Sequence, residues 1–245
     1  MNHTQPNRYT ADYWLRADYL AHGNSRQQAV WQMLQTESVL ETLAAYSPVI
    51  AGTIPLGVDT AESDVDVLCA LPGNDVRTLR RAASVLRKAF AGKPQFALWQ
   101  THKQGLPCVV CRFLLSSETN EVQPLAVETM GRKSKASESR SNNEMRTTGT
   151  TEIIEVFMQY MPVEKQQAFR HLVAEARLLE YCAEHRQARA ALRAMKERGI
   201  NTEPAFAAYF RLADHGFDAD PYQALLQVYE LPERLVQTLA NGVFA

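Results

Sequence analysis

The sequence predicts an α+β fold: a mixed β-sheet with flanking helices and a C-terminal helical region. Three observations lead there. Residues 9–45 and the stretch from Val163 onward carry apolar side chains at helical spacing. The middle of the chain instead holds short β-branched runs punctuated by Gly, Pro and Asp. The order is helices, then strands with one helix among them, then helices, which fits α+β better than regular βαβ alternation. The boundaries expected from this are a helical segment at 1–45, a sheet domain at 46–160 and a helical region at 161–245.

Element by element, Thr10 and Ser25 are the expected N-caps of the first helices. Ser47–Ile54 and Ser63–Leu71 read as the first two strands, joined by a Gly/Pro/Asp turn region. Pro72-Gly73-Asn74 ends the second. A two-sided helix then spans Asp75–Phe90, with Val76, Leu79, Ala83, Leu86 and Phe90 as its apolar stripe. Its other face (Arg77, Arg80, Arg81, Ser84, Lys88) reads as solvated surface. Phe96–Thr101 and Pro107–Leu115 predict a hairpin turning at Gln104-Gly105. Ser116–Thr151 breaks the pattern. Its stretch 131–146 holds five basic and two acidic residues, a local charge of +3, among Ser and Asn. That composition predicts an insert with little internal order. Strand character resumes over Ile153–Tyr160, and Pro162 stands where a helix begins. Breaks are expected near Gly199–Asn201, Gly216 and Asp220-Pro221.

The bulk numbers exclude several classes. A net charge of −1 over 245 residues is no nucleic-acid footprint by itself. The polar start and the absence of a long apolar run predict a soluble, cytoplasmic chain with no membrane partner. Four cysteines stand at 69, 108, 111 and 182. Cys108 and Cys111 have Cys-x-x-Cys spacing, but on a strand they face opposite sides. No second Cys/His pair stands beside them, so buried thiols are expected rather than a zinc site. No Gly-x-Ser-x-Gly or Walker-type loop is present.

Chemistry concentrates in Ala51-Gly52-Thr53 and Ser63-Asp64-Val65-Asp66-Val67. Two aspartates at i, i+2 on a strand share a face, about 7 Å apart at Cα. They run into continuous apolar sequence, Val67-Leu-Cys-Ala-Leu71, which predicts a central strand where carboxylates need a ligand or partner. Two hard oxygen donors on one rigid edge suit Mg²⁺ bound to a phosphate substrate. A Gly-Thr turn upstream offers close backbone approach and a hydroxyl.

Gly52-Thr53, ten residues, then Asp64-Val-Asp66-Val resembles the signature of the DNA polymerase β-like nucleotidyltransferase superfamily. More closely, the chain resembles a bacterial group within it, Domain of Unknown Function family 4269. Ala51–Asp59 with Ser63–Asp66, Ile154–Gln159 leading into Pro162–His171, and Thr202–Phe206 carry that closer match. The resemblance implies a third acid on a later strand. Glu152 and Glu155 compete; they lie on opposite faces, and Glu155 matches the Ile-Glu-hydrophobic-Phe pattern. It implies transfer of a nucleoside monophosphate from an NTP to an acceptor hydroxyl, with Asp64, Asp66 and Glu155 as catalytic and metal-binding residues. Mg²⁺ is the implied cofactor, with Mn²⁺ as a substitute. Gly52, Thr53 and Ser63 would hold the triphosphate. After Pro162, a polar stripe of Gln166, Arg170 and Arg177 runs between two apolar helix faces. Arg170 and Arg177 are therefore expected to grip phosphate, with a structural ion pair as the other reading. The acceptor stays open between a small molecule, a protein and an RNA end, and so does the oligomeric state. The rival functions are a non-catalytic nucleotide- or RNA-binding relative and a toxin–antitoxin component.

Overall fold

Helical periodicity in the N-terminal third resolves into short pieces. The computed structural model describes residues 10–116 and 150–242. Helices α1 (Ala11–Trp14), α2 (Ser25–Thr36) and α3 (Val39–Thr42) alternate with 3-10 turns at Asp18–His22 and Ala44–Tyr46. Asn24 rather than Ser25 caps α2. Its side chain accepts from the Gln27 N–H, and the Gln27 side chain accepts from the Asn24 N–H. Such a reciprocal box satisfies two orphan donors at once. The Thr10 side chain makes no capping bond to α1.

Strand β1 (Val49–Ala51) is shorter than the apolar run suggests. Gly52 turns the chain at φ 77°, and Thr53–Leu56 closes one helical turn, α4. Pro55 has no N–H for a ladder but is tolerated in a first helical turn, so the run divides there. β2 (Val65–Ala70) follows, then α5 (Val76–Phe90), whose first N–H groups bond to the Asp75 carboxylate. Val76 is 61% exposed, so the stripe is Leu79, Ala82, Leu86 and Phe90. The basic face, Arg77 to Lys88, is exposed. β3 (Ala97–Lys103) and β4 (Leu106–Ser116) form the expected hairpin. Its turn residues Gln104 and Gly105 both have positive φ, the two-residue geometry that matches strand twist. β5 (Thr151–Gln159) pairs antiparallel with β4 as far as Ser116–Thr151. Nearly all of the expected insert, residues 117–149, lies outside the described residues.

The sheet order is β1-β2-β5-β4-β3. β2 and β5 run parallel in its middle; the other neighbours are antiparallel. One face is apolar and carries α5, with Phe90 stacked on Phe113 at 4.5 Å. On the opposite face the register aligns Asp66, Glu155 and Arg112 in one row, and Leu68, Phe157, Val110 and Trp99 in the next.

The rest is helical: α6 (Gln167–Tyr181), α7 (His185–Glu197), α8 (Thr202–Tyr209), α9 (Pro221–Glu230) and α10 (Glu233–Gly242). The breaks at 199–201, 216 and 220–221 fall between these helices. The one at Cys182–Glu184 has no Gly or Pro to announce it. α6 is the central helix. Phe169, Leu172, Ala174, Ala176, Leu178 and Leu179 are all buried, so both of its apolar faces are covered. Among the described residues no helix is long and apolar enough to cross a membrane, and all four cysteines are buried thiols.

Candidate functional site

Strand register builds the site. Asp66 on β2 stands beside Glu155 on β5. Directly paired residues on neighbouring strands present their side chains on one face. Glu152, three residues earlier, faces the other way. It is buried and accepts two hydrogen bonds from Arg26, at 2.9 and 2.7 Å. Asp64 lies one residue before β2, so only the second aspartate of the pair is on the strand itself. Asp64 is still close enough to raise the pKa of both other acids. Glu155 also has a cation beside it: Arg112 Nε on β4 is 3.7 Å from its carboxylate.

Gly52 sits directly over Asp66. A Cβ built there would lie 2.3 Å from Asp66 Oδ2, and φ 77° with ψ −154° is a backbone region held almost only by glycine. Next to it the Thr53 hydroxyl donates to Ser63 Oγ at 3.2 Å, and the Thr60 N–H donates to the same atom at 3.0 Å. The turn and the residue preceding Asp64 are thus tied together. Three guanidinium groups hold the loop between them. Arg26 donates to the Thr60 and Ser63 carbonyls and to Asp59. Arg189 donates to Leu56 O at 3.0 Å; Arg193 donates to Gly57 O at 2.9 Å and Asp59 O at 3.0 Å.

A cleft of two lobes opens over Gly52 and Asp66; Glu155 is not among the residues that line either lobe. One lobe, of about 440 Å³, is lined by Gly52, Thr53, Ser63, Asp64 and Asp66 from the sheet side and by Glu175, Lys196 and Glu203 from the helices. The other, of about 290 Å³, adds Lys103 and Phe157. Asp66, His171, Glu203 and Tyr222 line both lobes. A larger cavity of about 750 Å³ lies at the far end of β2, beside Leu71 and Tyr160, and contains none of the three acids.

Burial and mutual repulsion dominate the electrostatics. Asp66 is pushed up to about 7, first by burial, then by Glu155 and Asp64. Burial likewise raises Asp64, against the pull of Arg112 and Arg26. It raises Glu155 too, with Asp64 adding to the effect. Glu175 on α6 is driven well above the usual carboxylate range by burial and by Glu203. Its Oε1 has no hydrogen-bond partner among the described residues. Lys196 is lowered by burial although four carboxylates surround it, and it donates to Thr202 Oγ1 at 3.1 Å. Burial also pushes Glu203 up, but the His171 hydrogen bond and charge outweigh it, leaving Glu203 below its ordinary value.

The two arginines expected at the phosphates are elsewhere. Arg170 pairs with Glu230 and lies over the Tyr229 ring, 4.8 Å from its centroid. Arg177 is buried and donates to the carbonyls of Val228, Tyr229 and Leu231, at 3.4, 2.9 and 2.7 Å. The reason is general: the last carbonyls of a helix lack intrahelical donors, and a buried helix end must find them elsewhere. Here α9 finds them on α6. The cations that do line the cleft are Lys103 at the end of β3 and Lys196 on α7, and nothing in the sequence distinguishes either. His171 and Glu203 lie inside the segments 162–171 and 202–206 that carried the resemblance, but their pairing across α6 and α8, 3.4 Å apart, had no sequence signal.

Among the described residues no three His, Cys, Asp or Glu side chains are grouped so as to hold a metal ion by themselves. Asp64 and Asp66 remain as a pair of hard oxygen donors. This is the number of protein ligands Mg²⁺ ordinarily takes when water and substrate phosphates complete its octahedron. The donor set therefore fits a magnesium–phosphate complex better than a stand-alone ion site.

No curated protein and no solved structure matches the chain. One family model, described as Domain of unknown function (DUF4269), matches residues 32–142 and 128–228. Those two stretches together take in both faces of the cleft, and the chain belongs to that family.

Proposed function

We propose that the protein is a Mg²⁺-dependent nucleotidyltransferase, moving a nucleoside monophosphate from an NTP to an acceptor hydroxyl. The observation that carries this reading is the alignment of Asp66 with Glu155 on the two central parallel strands, with Gly52 pressed against the Asp66 carboxylate. Such an arrangement keeps one carboxylate open toward a ligand while a backbone turn approaches the same point. Burial raises the pKa of Asp66, with Glu155 and Asp64 adding to it, and a cation bound there would offset that cost.

In this reading Asp64 and Asp66 hold the cation that accompanies the triphosphate. The bound metal supplies charge neutralisation at the phosphoryl oxygens. Gly52, Thr53 and Ser63 receive the phosphates through backbone N–H and hydroxyl groups, and Lys196 adds positive charge from the helical side. Glu155 takes the proton of the acceptor hydroxyl. The acceptor oxygen bonds to the α-phosphorus, the bond from that phosphorus to the bridging oxygen breaks, and its electron pair leaves with pyrophosphate.

A second reading has one observation in its favour. Arg112 already faces Glu155, and a neutralised third acid suits a protein that binds nucleotide without turning it over. Incubation with Mg²⁺ and each α-³²P-labelled NTP, with cell extract as the source of acceptor, separates the two. Transfer of label with pyrophosphate release supports the transferase. Mg²⁺-dependent NTP binding with no release under any acceptor supports the binding protein.

A further inference from the structure

A second groove, of about 530 Å³, lies on the far side of α4 from the carboxylate cleft. Pro55, Leu56 and Gly57 form the wall between them, since they line the groove while Thr53 lines the cleft. The floor is an aromatic cluster, Tyr13, Trp14 and Tyr19, with ring centroids 4.8–5.3 Å apart. The opposite wall is one face of α7. Arg186, Arg189 and Arg193, spaced i, i+3 and i+7, all line it. Glu180 is the single carboxylate among the lining residues, and it is paired with Arg189 at 2.7 Å.

We propose that this groove is a second binding site, for a phosphate-bearing ligand. An ordinary solvated helix face is convex and mixes its charges; here three guanidinium groups converge on a concavity that holds one acid. The Arg186 side chain has neither an ion pair nor a hydrogen bond among the described residues. Arg189 and Arg193 each use a minority of their five N–H donors on backbone carbonyls and Glu180. Planar guanidinium groups with donors to spare match phosphate oxygens in geometry as well as charge. His185, the first residue of α7, also lines the groove, Glu184 supplies no side-chain cap to that helix end, and the helix dipole there adds to the attraction.

The groove is also coupled to the cleft. The same Arg189 and Arg193 hold the carbonyls of Leu56, Gly57 and Asp59, in the loop that leads from the Gly52–Thr53 turn to Asp64. An anion on these two side chains restrains that loop. The phosphate could belong to a free nucleotide or to the backbone of a single strand, and the two differ in reach.

The test is calorimetry on the full chain with inorganic pyrophosphate in excess EDTA, where a metal-bridged complex in the cleft cannot form. Wild type and Asp66→Asn are expected to bind alike, and Arg186→Glu to lose on the order of tenfold or more in affinity at an unchanged melting temperature. Arg186→Lys should recover part of the loss. A ten-nucleotide single strand that binds more tightly than pyrophosphate, with a steep salt dependence, makes the source a polynucleotide; one that binds no better makes it a free nucleotide. No binding by wild type, or binding unchanged in Arg186→Glu, overturns the proposal. So does binding that Asp66→Asn changes in either direction, because the anion would then be in the cleft. None of these readings depends on turnover, so the site stands or falls apart from the transferase assignment.

Discussion

Glu175 is the residue most at odds with its surroundings. It is buried in the middle of α6, its Oε1 lacks a partner, and its pKa is raised by burial and by Glu203. A carboxyl raised on folding contributes stability that is fully present below its unfolded pKa and is lost as pH rises through the folded value. Glu175→Gln should therefore match wild type near about pH 4 and melt higher at neutral and alkaline pH, flattening the thermal-stability profile. A variant that matches wild type near about pH 4 but melts lower at neutral and alkaline pH would show that the charged form is used in the fold. Gly52 makes the opposite case, a residue that cannot be changed. Gly52→Ala forces a methyl group onto Asp66 and a strained backbone, at a cost of order 1–3 kcal/mol. It should lower the urea midpoint and, in the transferase reading, abolish Mg²⁺-dependent NTP binding. Retention of both would mean that Asp66 has room the structure does not give it.

At the scale of elements, α6 and α9 are joined by side chains that the sequence offered to phosphate. Arg177→Leu removes the donors for three carbonyls at the buried end of α9 and should cost about 2–4 kcal/mol in urea unfolding. Arg170→Ala breaks an ion pair whose Glu230 side is exposed, and should cost no more than about 1 kcal/mol. NTP binding should be unchanged in Arg170→Ala; weakened binding there would restore the original assignment. Legibility followed a physical divide. The hairpin, the capped helix α5 and the strand with Asp66 were readable because turn chemistry, caps and alternation are local signals. The short β1 and the turn α4 were masked by an apolar run that either conformation could bury. Arg170 and Arg177 misled because a polar stripe on a buried helix says that partners exist, not which partners. The Arg170–Glu230 pair spans 60 residues of sequence, and the Lys196 position depends on α7 packing beside the loop at 57–60.

At the scale of the molecule, the cleft lies between a sheet that carries the acids and helices that carry Lys196, His171 and Glu203. The parallel pairing of β2 with β5 brings together residues 89 positions apart, Asp66 and Glu155, and is the long-range event on which the site depends. The choice of Glu155 over Glu152 could be argued from the sequence because strand alternation sends the two to opposite faces. The grouping of His171, Glu175, Lys196 and Glu203 could not, because it is set by how helices pack. The central claim, that the Asp64–Asp66 pair is a metal–phosphate site, is tested most directly by calorimetric NTP binding to wild type and Asp66→Asn, with Mg²⁺ and with EDTA. The account predicts a Mg²⁺-dependent binding event in wild type, over and above any metal-independent binding in the α7 groove, no such event in Asp66→Asn, and a metal-free melting temperature for the variant equal to or above that of wild type, since one of three repelling carboxylates is gone. A variant that unfolds, beside a wild type indifferent to Mg²⁺, would contradict it and make the pair a structural feature of the sheet.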